Sequence, residues 1–311
     1  MKHIIIDTDP GVDDALALML ALGSPELSVE AVTTVVGNVG QEKAHRNAKQ
    51  ILEFLDRTDV PVCEGAEKPL LRDVRHSEDF HGKTGLGGAV LPDPMMRTSP
   101  RNATQAIHDK AQDLGEDLII VALGPLTNIA AAVLGDPSLT ETIGGLVMMG
   151  GAYNITPYGV GNANAVAEFN IWHDPEAAKI VFDSGIPLAC VGLDTTTYPN
   201  NRMSVAMFQE IKSRDTRRSR LIADLCGDIV NRYNGISLHD PMTVAYIVDP
   251  TIFRTEKYRV DVETSGNITC GMTVVDRRRY HRLREKANAE IIIEVDAERF
   301  HGLIMERVVE G

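Results

Sequence analysis

Four aspartates fall within eight consecutive positions near the start of the chain, in the segment IIIDTDPGVDDALALML. They are Asp7, Asp9, Asp13 and Asp14. Carboxylates this close repel one another unless a cation or hydrogen-bond donors offset their charge. Oxygen ligands without histidine or cysteine suit Ca²⁺ or Mg²⁺. The segment therefore predicts an acidic site that holds a divalent cation.

The aspartates have two other interpretations. A calcium loop of the EF-hand type starting at Asp7 needs glycine at its sixth position and glutamate at its twelfth, where Val12 and Leu18 stand. An apolar strand followed by Asp-x-Asp also opens the haloacid-dehalogenase-like phosphatases. That class needs a later acidic pair, for which the nearest segment offers only Asp228. The phosphatase remains an alternative at this point.

Polar residues recur where later strands are predicted to end. Asn38 follows one such strand, and Leu123 precedes Gly-Pro after another. The segment NANAVAEFN adds Asn162, Glu168 and Asn170, whose side chains can pair with sugar hydroxyls because hydroxyls both donate and accept hydrogen bonds. Ligands of open α/β sheets bind at the carboxyl ends of strands. These residues are therefore candidates for the same site as the aspartates.

The final candidate pair is His239 and Asp240, which directly precede a predicted helix. A lone histidine is more often structural than catalytic. Beside an acidic site, the pair is a candidate for both metal binding and proton transfer.

Short β-branched runs alternate with helical patterns along the whole chain. This alternation predicts an α/β protein with a mostly parallel central sheet flanked by helices. No linker or repeat divides the sequence, so we expect a single domain over residues 1–311. The predicted strands are residues 3–6, 29–36, 60–63, 117–123, 145–150, 186–192, 258–263 and 289–295, and the predicted helices are residues 13–22, 41–56, 102–113, 126–134, 174–184, 216–232, 241–247 and 297–308.

The composition limits the partners. The net charge of −13 argues against a nucleic-acid backbone as a partner. No window reaches the roughly 18 uninterrupted apolar residues of a membrane span, and the first residues lack the features of a signal peptide. A cytoplasmic protein is expected, with its four cysteines as buried thiols rather than disulfides or zinc ligands.

The motifs together resemble one enzyme family. The segment DTDPGVDD is similar to the D-x-D-P-G-x-D-D fingerprint of the nucleoside hydrolases. The resemblance continues through GN at 37–38, GPLTNIA at 124–130, MGG at 149–151, NANAVAEFN at 162–170 and HD at 239–240, and so covers roughly residues 4 to 250. It implies a Rossmann-like fold and hydrolysis of the N-glycosidic bond of ribonucleosides, which yields ribose and a free base.

The resemblance also implies a bound Ca²⁺. Its carboxylate ligands would be Asp9, Asp14 and Asp240, and its main-chain ligand the carbonyl of Leu123. Asp9 would also be the general base that takes a proton from metal-bound water. Asp7 would support the site from the same strand.

The remaining roles implied by the resemblance concern the nucleoside itself. The ribose-binding residues would be Asp13, Asn38, Asn162, Glu168 and Asn170. At the base, His81 and Tyr233 would form the wall, with Tyr233 part of a lid, and His239 would be the proton donor or relay.

Two broader expectations follow from the family. The presence of both His81 and His239 near the base is typical of the branch of the family that accepts inosine and uridine or prefers pyrimidines. Relatives are typically homotetramers or homodimers that act in nucleoside catabolism and in purine and pyrimidine salvage. The open alternatives are the phosphatase and a non-catalytic, Ca²⁺-dependent ribose-binding module.

Overall fold

The computed structural model describes residues 1–278 and 286–311. Its strands are β1 (Lys2–Thr8), β2 (Leu27–Thr34), β3 (Val62–Cys63), β4 (Leu118–Ala122), β5 (Gly145–Met149), β6 (Leu188–Val191), β7 (Phe253–Tyr258), β8 (Val260–Val262), β9 (Thr273–Val275) and β10 (Ala289–Val295). Its longer helices are α1 (Val12–Leu22), α2 (Gln41–Phe54), α4 (Ala103–Leu114), α5 (Thr127–Gly135), α8 (Pro175–Asp183), α10 (Val205–Ser213), α11 (Arg217–Tyr233), α12 (His239–Val248) and α13 (Ala297–Ile304).

Four helices are single turns. They are α3 (Glu78–His81), α6 (Leu139–Thr142), α7 (Phe169–His173) and α9 (Leu193–Thr196). Short 3₁₀ segments at 115–117, 199–201 and 250–252 and a π-helical turn at 305–310 complete the description.

Eight strands form one sheet in the order β3-β2-β1-β4-β5-β6-β10-β7. All neighbours are parallel except β10 and β7, which are antiparallel. The chain leaves β1 toward β2 on one side and returns to β4 on the other. The carboxyl ends of β1 and β4 therefore form the topological switch point, where open α/β sheets bind their ligands.

Helices cover both faces of the sheet, as the apolar strands require. Ile4, Ile5 and Ile6 in β1 are all completely buried, because alternate side chains enter the two opposite helical layers. Helix α1 is buried along nearly its whole length and packs against α12. The start of α1 and the start of α12 therefore lie beside each other at the same edge of the sheet. The predicted α/β fold with a parallel central sheet is confirmed.

Some predicted elements are wrong at the C-terminal side. The expected strand 258–263 is divided: Tyr258 ends β7, while β8 pairs with β9 in a separate two-stranded ribbon. The sequence of β7, FRTEKY, was not predicted because its exposed charges give no apolar run. Edge strands carry such charges commonly, since charge discourages pairing with another chain.

Two further predictions concern membrane-spanning helices and the state of the cysteines. Among the described residues, no helix combines the length and apolar character needed to cross a bilayer. The four cysteines are free thiols, as expected, and Cys63, Cys190 and Cys226 are buried. The expectation is wrong for Cys270, which is only partly buried because it lies in the turn before β9.

Candidate active site

A pocket of about 390 Å³ opens at the carboxyl ends of the central strands. Ten of the predicted site residues line it: Asp13, Asn38, His81, Leu123, Asn162, Glu168, Asn170, Tyr233, His239 and Asp240. Asp7, Asp9 and Asp14 are also completely buried but do not line the pocket wall. The structure thus brings together residues more than two hundred positions apart, with three of the four N-terminal aspartates behind the pocket.

Asp7 is a structural carboxylate at the end of β1. Its Oδ1 accepts hydrogen bonds from Thr33 Oγ1 at 2.5 Å and from Asn128 Nδ2 at 2.7 Å. Burial raises its pKa to about 7, although both hydrogen bonds oppose this shift. Asn128 also donates to the Thr34 carbonyl, so this group ties β1, β2 and α5 together beneath the pocket.

Asp9 lies between two glycines that leave room for its carboxylate. A β-carbon placed at Gly124 would lie 2.6 Å from Asp9 Oδ1, and one placed at Gly37 would lie even closer to Oδ2. The Asn38 backbone N–H donates to Oδ2 at 2.6 Å. Oδ1 is buried without a hydrogen-bond partner among the described residues. Such an orphaned acceptor is the atom a cation would satisfy.

Asp14 opens helix α1 and is held on three sides. Its Oδ1 accepts from Thr8 Oγ1 at 2.5 Å, and its Oδ2 accepts from the Gly11 N–H at 2.8 Å and from Asn38 Nδ2 at 3.1 Å. Carboxylates in the first turn are also favoured by the helix dipole. The same carboxylate therefore caps α1 and orients Asn38, whose Oδ1 accepts from Ser77 Oγ at 2.7 Å.

Asp13, Asp14 and Asp240 form a compact carboxylate group in which ligand atoms lie within 4.8 Å of one another. Burial and the charge of Asp14 raise the pKa of Asp13 to about 8. Burial and neighbouring aspartates raise the pKa of Asp9 and of Asp240 well above the usual range. A divalent cation would reverse these shifts because its charge favours the ionised carboxylates. The donor set therefore fits a hard divalent cation.

Helix α7 and its N-terminal cap position two side chains of the NANAVAEFN segment, the amide of Asn170 and the carboxylate of Glu168. Glu168 caps this helix: its Oε1 accepts from the Asn170 N–H, and its Oε2 from the N–H groups of Gly151 and Ile171. Asn170 Nδ2 donates to the Leu123 carbonyl at 2.7 Å and to the Met149 carbonyl at 3.2 Å. These bonds fix both side chains against the ends of β4 and β5.

Asn162 and Asn164 differ in role. Asn162 is exposed at the pocket rim, where its Oδ1 accepts from the Phe169 N–H. Asn164 lies outside the pocket and shapes the loop by accepting from the N–H groups of Val166 and Ala167.

Two histidines lie on the opposite wall. His81 Nδ1 accepts from the Val12 N–H at 3.1 Å, which leaves the ring proton on Nε2. His239 Nδ1 pairs with Thr196 Oγ1 at 2.7 Å. Burial lowers the pKa of each to about 4, so both rings are neutral at neutral pH. They offer N–H hydrogen bonds rather than positive charge.

Tyr233 ends helix α11 and is 47% exposed at the mouth of the pocket. Its ring lies 5.8 Å from that of Phe80, which in turn contacts His81 at 4.9 Å between centroids. We use the term base end for the part of the pocket lined by Phe80, His81, Tyr233, Gly235 and His239, because the resemblance described above implies a nucleobase there.

Several lining residues were not identified from the sequence: Ser77, Phe80, Met149, Phe169, Thr197, Arg202, Ile229, Gly235, Ile236 and Ser237. Most belong to loops or single turns without periodicity. Ile229 alone carried a signal, because it lies one helical turn before Tyr233 on the same face of α11.

A pocket with converging polar groups and shifted carboxylate pKa values, at the switch point of a parallel sheet, is the place where an α/β enzyme is expected to bind a small molecule. The model of the inosine-uridine preferring nucleoside hydrolases matches residues 4–302, and the chain belongs to that family. It is thus an N-glycosidase that hydrolyses ribonucleosides. This finding decides against the phosphatase and the non-catalytic binding module.

Similar proteins cover the chain nearly end to end. The pyrimidine-specific ribonucleoside hydrolase RihA of Escherichia fergusonii is 40% identical over 98% of this chain and 97% of its own length. RihA of Salmonella agona is 41% identical with the same coverage. Among solved structures, the purine-preferring ribonucleoside hydrolase from Gardnerella vaginalis is 34% identical, with a TM-score of 0.89 over 99% of this chain and 98% of that one.

Proposed function

We propose that this chain hydrolyses pyrimidine ribonucleosides, uridine foremost, and inosine, in a Ca²⁺-dependent reaction. The observation that carries the proposal is the buried group of carboxylates with the orphaned oxygen of Asp9 beside it. The names of the RihA relatives support the pyrimidine preference. Ca²⁺ would be held by Asp9, Asp14, Asp240 and the Leu123 carbonyl.

The carboxylates suit the charge of the reaction. Cleavage of the bond between C1′ and the base passes through an oxocarbenium-like state with positive charge on the sugar. Asp13 and Glu168 line the pocket and stabilise this charge at short range. When bound, Ca²⁺ would neutralise the buried carboxylates and lower the pKa of a water molecule. Asp9 then accepts the proton of the attacking water.

The ribose is held by fixed side chains. Glu168 and Asn170 keep one orientation because α7 and the strand ends bind them, and Asn38 is fixed between Asp14 and Ser77. Binding the sugar in a reactive geometry lowers the entropic part of the activation free energy. Asp7 contributes by supporting the strand end and does not contact the substrate.

The base would lie between His81, Tyr233 and His239. Because both histidines are neutral, His239 would act as a relay rather than as a resident cation. Its ring would give one proton to the departing base and take up another at the opposite nitrogen, and the proton released by the attacking water balances the transfer. Proton transfer to a leaving group typically raises the reaction rate about 10²- to 10⁴-fold.

A substrate panel tests the proposal directly. Uridine, cytidine, inosine, adenosine and guanosine are each assayed for free ribose after chelation and after addition of Ca²⁺ or Mg²⁺. We expect uridine to give the highest kcat/KM, with Ca²⁺ required. A clear preference for guanosine or adenosine, or full activity in excess chelator, would contradict it.

The role of Asp9 is tested by Asp9→Ala. We expect this variant to lose bound Ca²⁺ and activity together, measured by calorimetric titration and by ribose release. Full activity with bound Ca²⁺ would show that Asp9 is neither a necessary calcium ligand nor the general base.

The role of His239 is tested by His239→Ala on uridine and on p-nitrophenyl riboside, whose leaving group needs no proton. We expect a far larger loss on uridine. An equal loss on the two substrates would exclude proton transfer through His239.

The proposal extends to assembly and setting. We expect a homotetramer or homodimer that works in the cytoplasm in nucleoside salvage. Light scattering of the purified chain checks the assembly, and a monomer at micromolar concentration would contradict it.

A further inference from the structure

The charged groups of the pocket are unevenly distributed. The carboxylates of Asp13, Glu168 and Asp240 are contributed by α1, α7 and α12. Among the described residues that line the pocket, Arg202 is the one lysine or arginine. An arginine in the active site of an enzyme with a neutral substrate requires an explanation, since a ribonucleoside carries no anionic group for it to bind.

Arg202 is held in place by the base end of the pocket. Its Nη2 donates to the Gly235 carbonyl at 2.9 Å and to the Tyr233 carbonyl at 3.3 Å. The next residue, Met203, exchanges two backbone hydrogen bonds with Ile236. The guanidinium is therefore fixed against the turn that follows α11, and its carbonyl contacts place it beside Tyr233.

The guanidinium has no carboxylate partner among residues 1–278 and 286–311. Nε is buried without an acceptor, and no Asp or Glu of the described residues lies within 4.0 Å of the charged group. A half-buried arginine without a carboxylate partner can donate to a ligand at no loss of an internal ion pair.

We propose that Arg202 stabilises the negative charge that develops on the departing base, through a hydrogen bond to a ring carbonyl oxygen. The assignment rests on the proposed function. In the reaction the bond between C1′ and the base nitrogen breaks and its electron pair goes to the base, while water oxygen bonds to C1′. Arg202 keeps all its protons. The pocket is then negative around the sugar and positive around the base, which matches the charge separation of the transition state.

The competing explanation is that Arg202 only ties down residues 233–236. The two explanations differ in how a substitution depends on the leaving group. 5-Fluorouracil is a weaker base than uracil and departs as an anion more readily. A residue that stabilises leaving-group charge therefore matters more for uridine than for 5-fluorouridine, whereas a structural tether affects both equally.

The test compares R202Q, R202K and R218Q with the wild-type chain on uridine and 5-fluorouridine at saturating Ca²⁺. Arg218 is a matched control, since it is also half-buried and its Nη1 donates to two backbone carbonyls, those of Arg307 and Val308, outside the pocket. For R202Q we expect kcat on uridine to fall about 100-fold, the typical effect of removing one such donor. The loss on 5-fluorouridine should be several-fold smaller.

The other variants sharpen the result. R202K keeps the charge and should recover part of the loss on uridine, whereas R218Q should stay within twofold of wild type on both substrates. Equal losses of R202Q on the two substrates, no loss, or a change in KM alone would overturn the assignment. A preference of the wild type for uridine 5′-monophosphate that disappears in R202Q would overturn it in favour of phosphate binding. If the wild type fails to cleave uridine, both the proposed function and the Arg202 assignment fail. The outcomes above, by contrast, overturn the Arg202 assignment alone.

Discussion

Replacing Gly124 with alanine places a methyl group directly against the proposed general base. The β-carbon would lie 2.6 Å from Asp9 Oδ1 and 2.8 Å from Val35 Cγ1. Ordinary contact begins near 3.4 Å, so the carboxylate must move by about 0.8 Å. Val35 is completely buried and blocks relief on the other side.

The size of the effect follows from this displacement. A misplacement of about 1 Å in a catalytic group can cost 10²-fold in rate, so we expect kcat/KM on uridine to fall between about 10- and 100-fold. Overpacking of a buried site costs about 1–3 kcal/mol of stability. Affinity for Ca²⁺ should fall too, because Gly124 follows the Leu123 carbonyl proposed as a ligand.

The assay combines initial rates, calorimetric Ca²⁺ titration and urea unfolding. Gly227→Ala is the control: the nearest atom to its β-carbon is Phe208 Cζ at 3.8 Å, and a helix interior favours alanine by about 0.5–1 kcal/mol. If the Gly124 variant keeps wild-type kcat/KM and Ca²⁺ affinity, a tightly enclosed Asp9 carboxylate is not needed for the reaction.

Three further outcomes are expected. Ser77→Ala removes the hydrogen bond that orients Asn38 and should raise KM for uridine about fivefold, equivalent to roughly 1 kcal/mol; an unchanged KM would contradict this. Chelation of Ca²⁺ should lower the urea concentration at the midpoint of unfolding, and Ca²⁺ at about 100 times its Kd should restore about 2.7 kcal/mol of unfolding free energy. Equal midpoints with and without the ion would argue against a structural cation. Burial raises the pKa of Asp7 from 3.8 to about 7, so its contribution to stability is complete below the lower value and is lost as pH rises through the higher one. Asp7→Asn mimics the protonated form and should flatten the fall in unfolding free energy between pH 5 and pH 8, whereas an unchanged slope would assign that fall to other groups.

The parallel core of the fold could be predicted because its signals are local. The strand AEIIIEV was predicted at residues 289–295, where the structure has β10, and the apolar β1 run leads into the aspartate cluster. A buried parallel strand needs apolar side chains on both faces, and that demand is visible in a few consecutive residues.

The base end could not be predicted in the same way. Phe80 and His81 lie on a single-turn helix, which is too short to show helical periodicity. Arg202 reaches the pocket from a 3₁₀ turn and binds carbonyls more than thirty positions away. Such contacts depend on the path of loops through space, and no spacing within the sequence encodes them.

The two halves of the pocket differ in what a substitution can disturb, and this has an evolutionary consequence. The proposed sugar half is formed from strand ends and buried carboxylates, where a change affects folding and chemistry together. The proposed base end draws its residues from loops and helix ends within 77–81, 197–202 and 229–238, and Tyr233 in the last segment is 47% exposed. Substitutions at exposed positions of the base end, such as Tyr233, can therefore alter which nucleobase fits with less effect on the buried carboxylates. Similar proteins named pyrimidine-specific and purine-preferring, at comparable distance from this chain, are the expected product of such divergence.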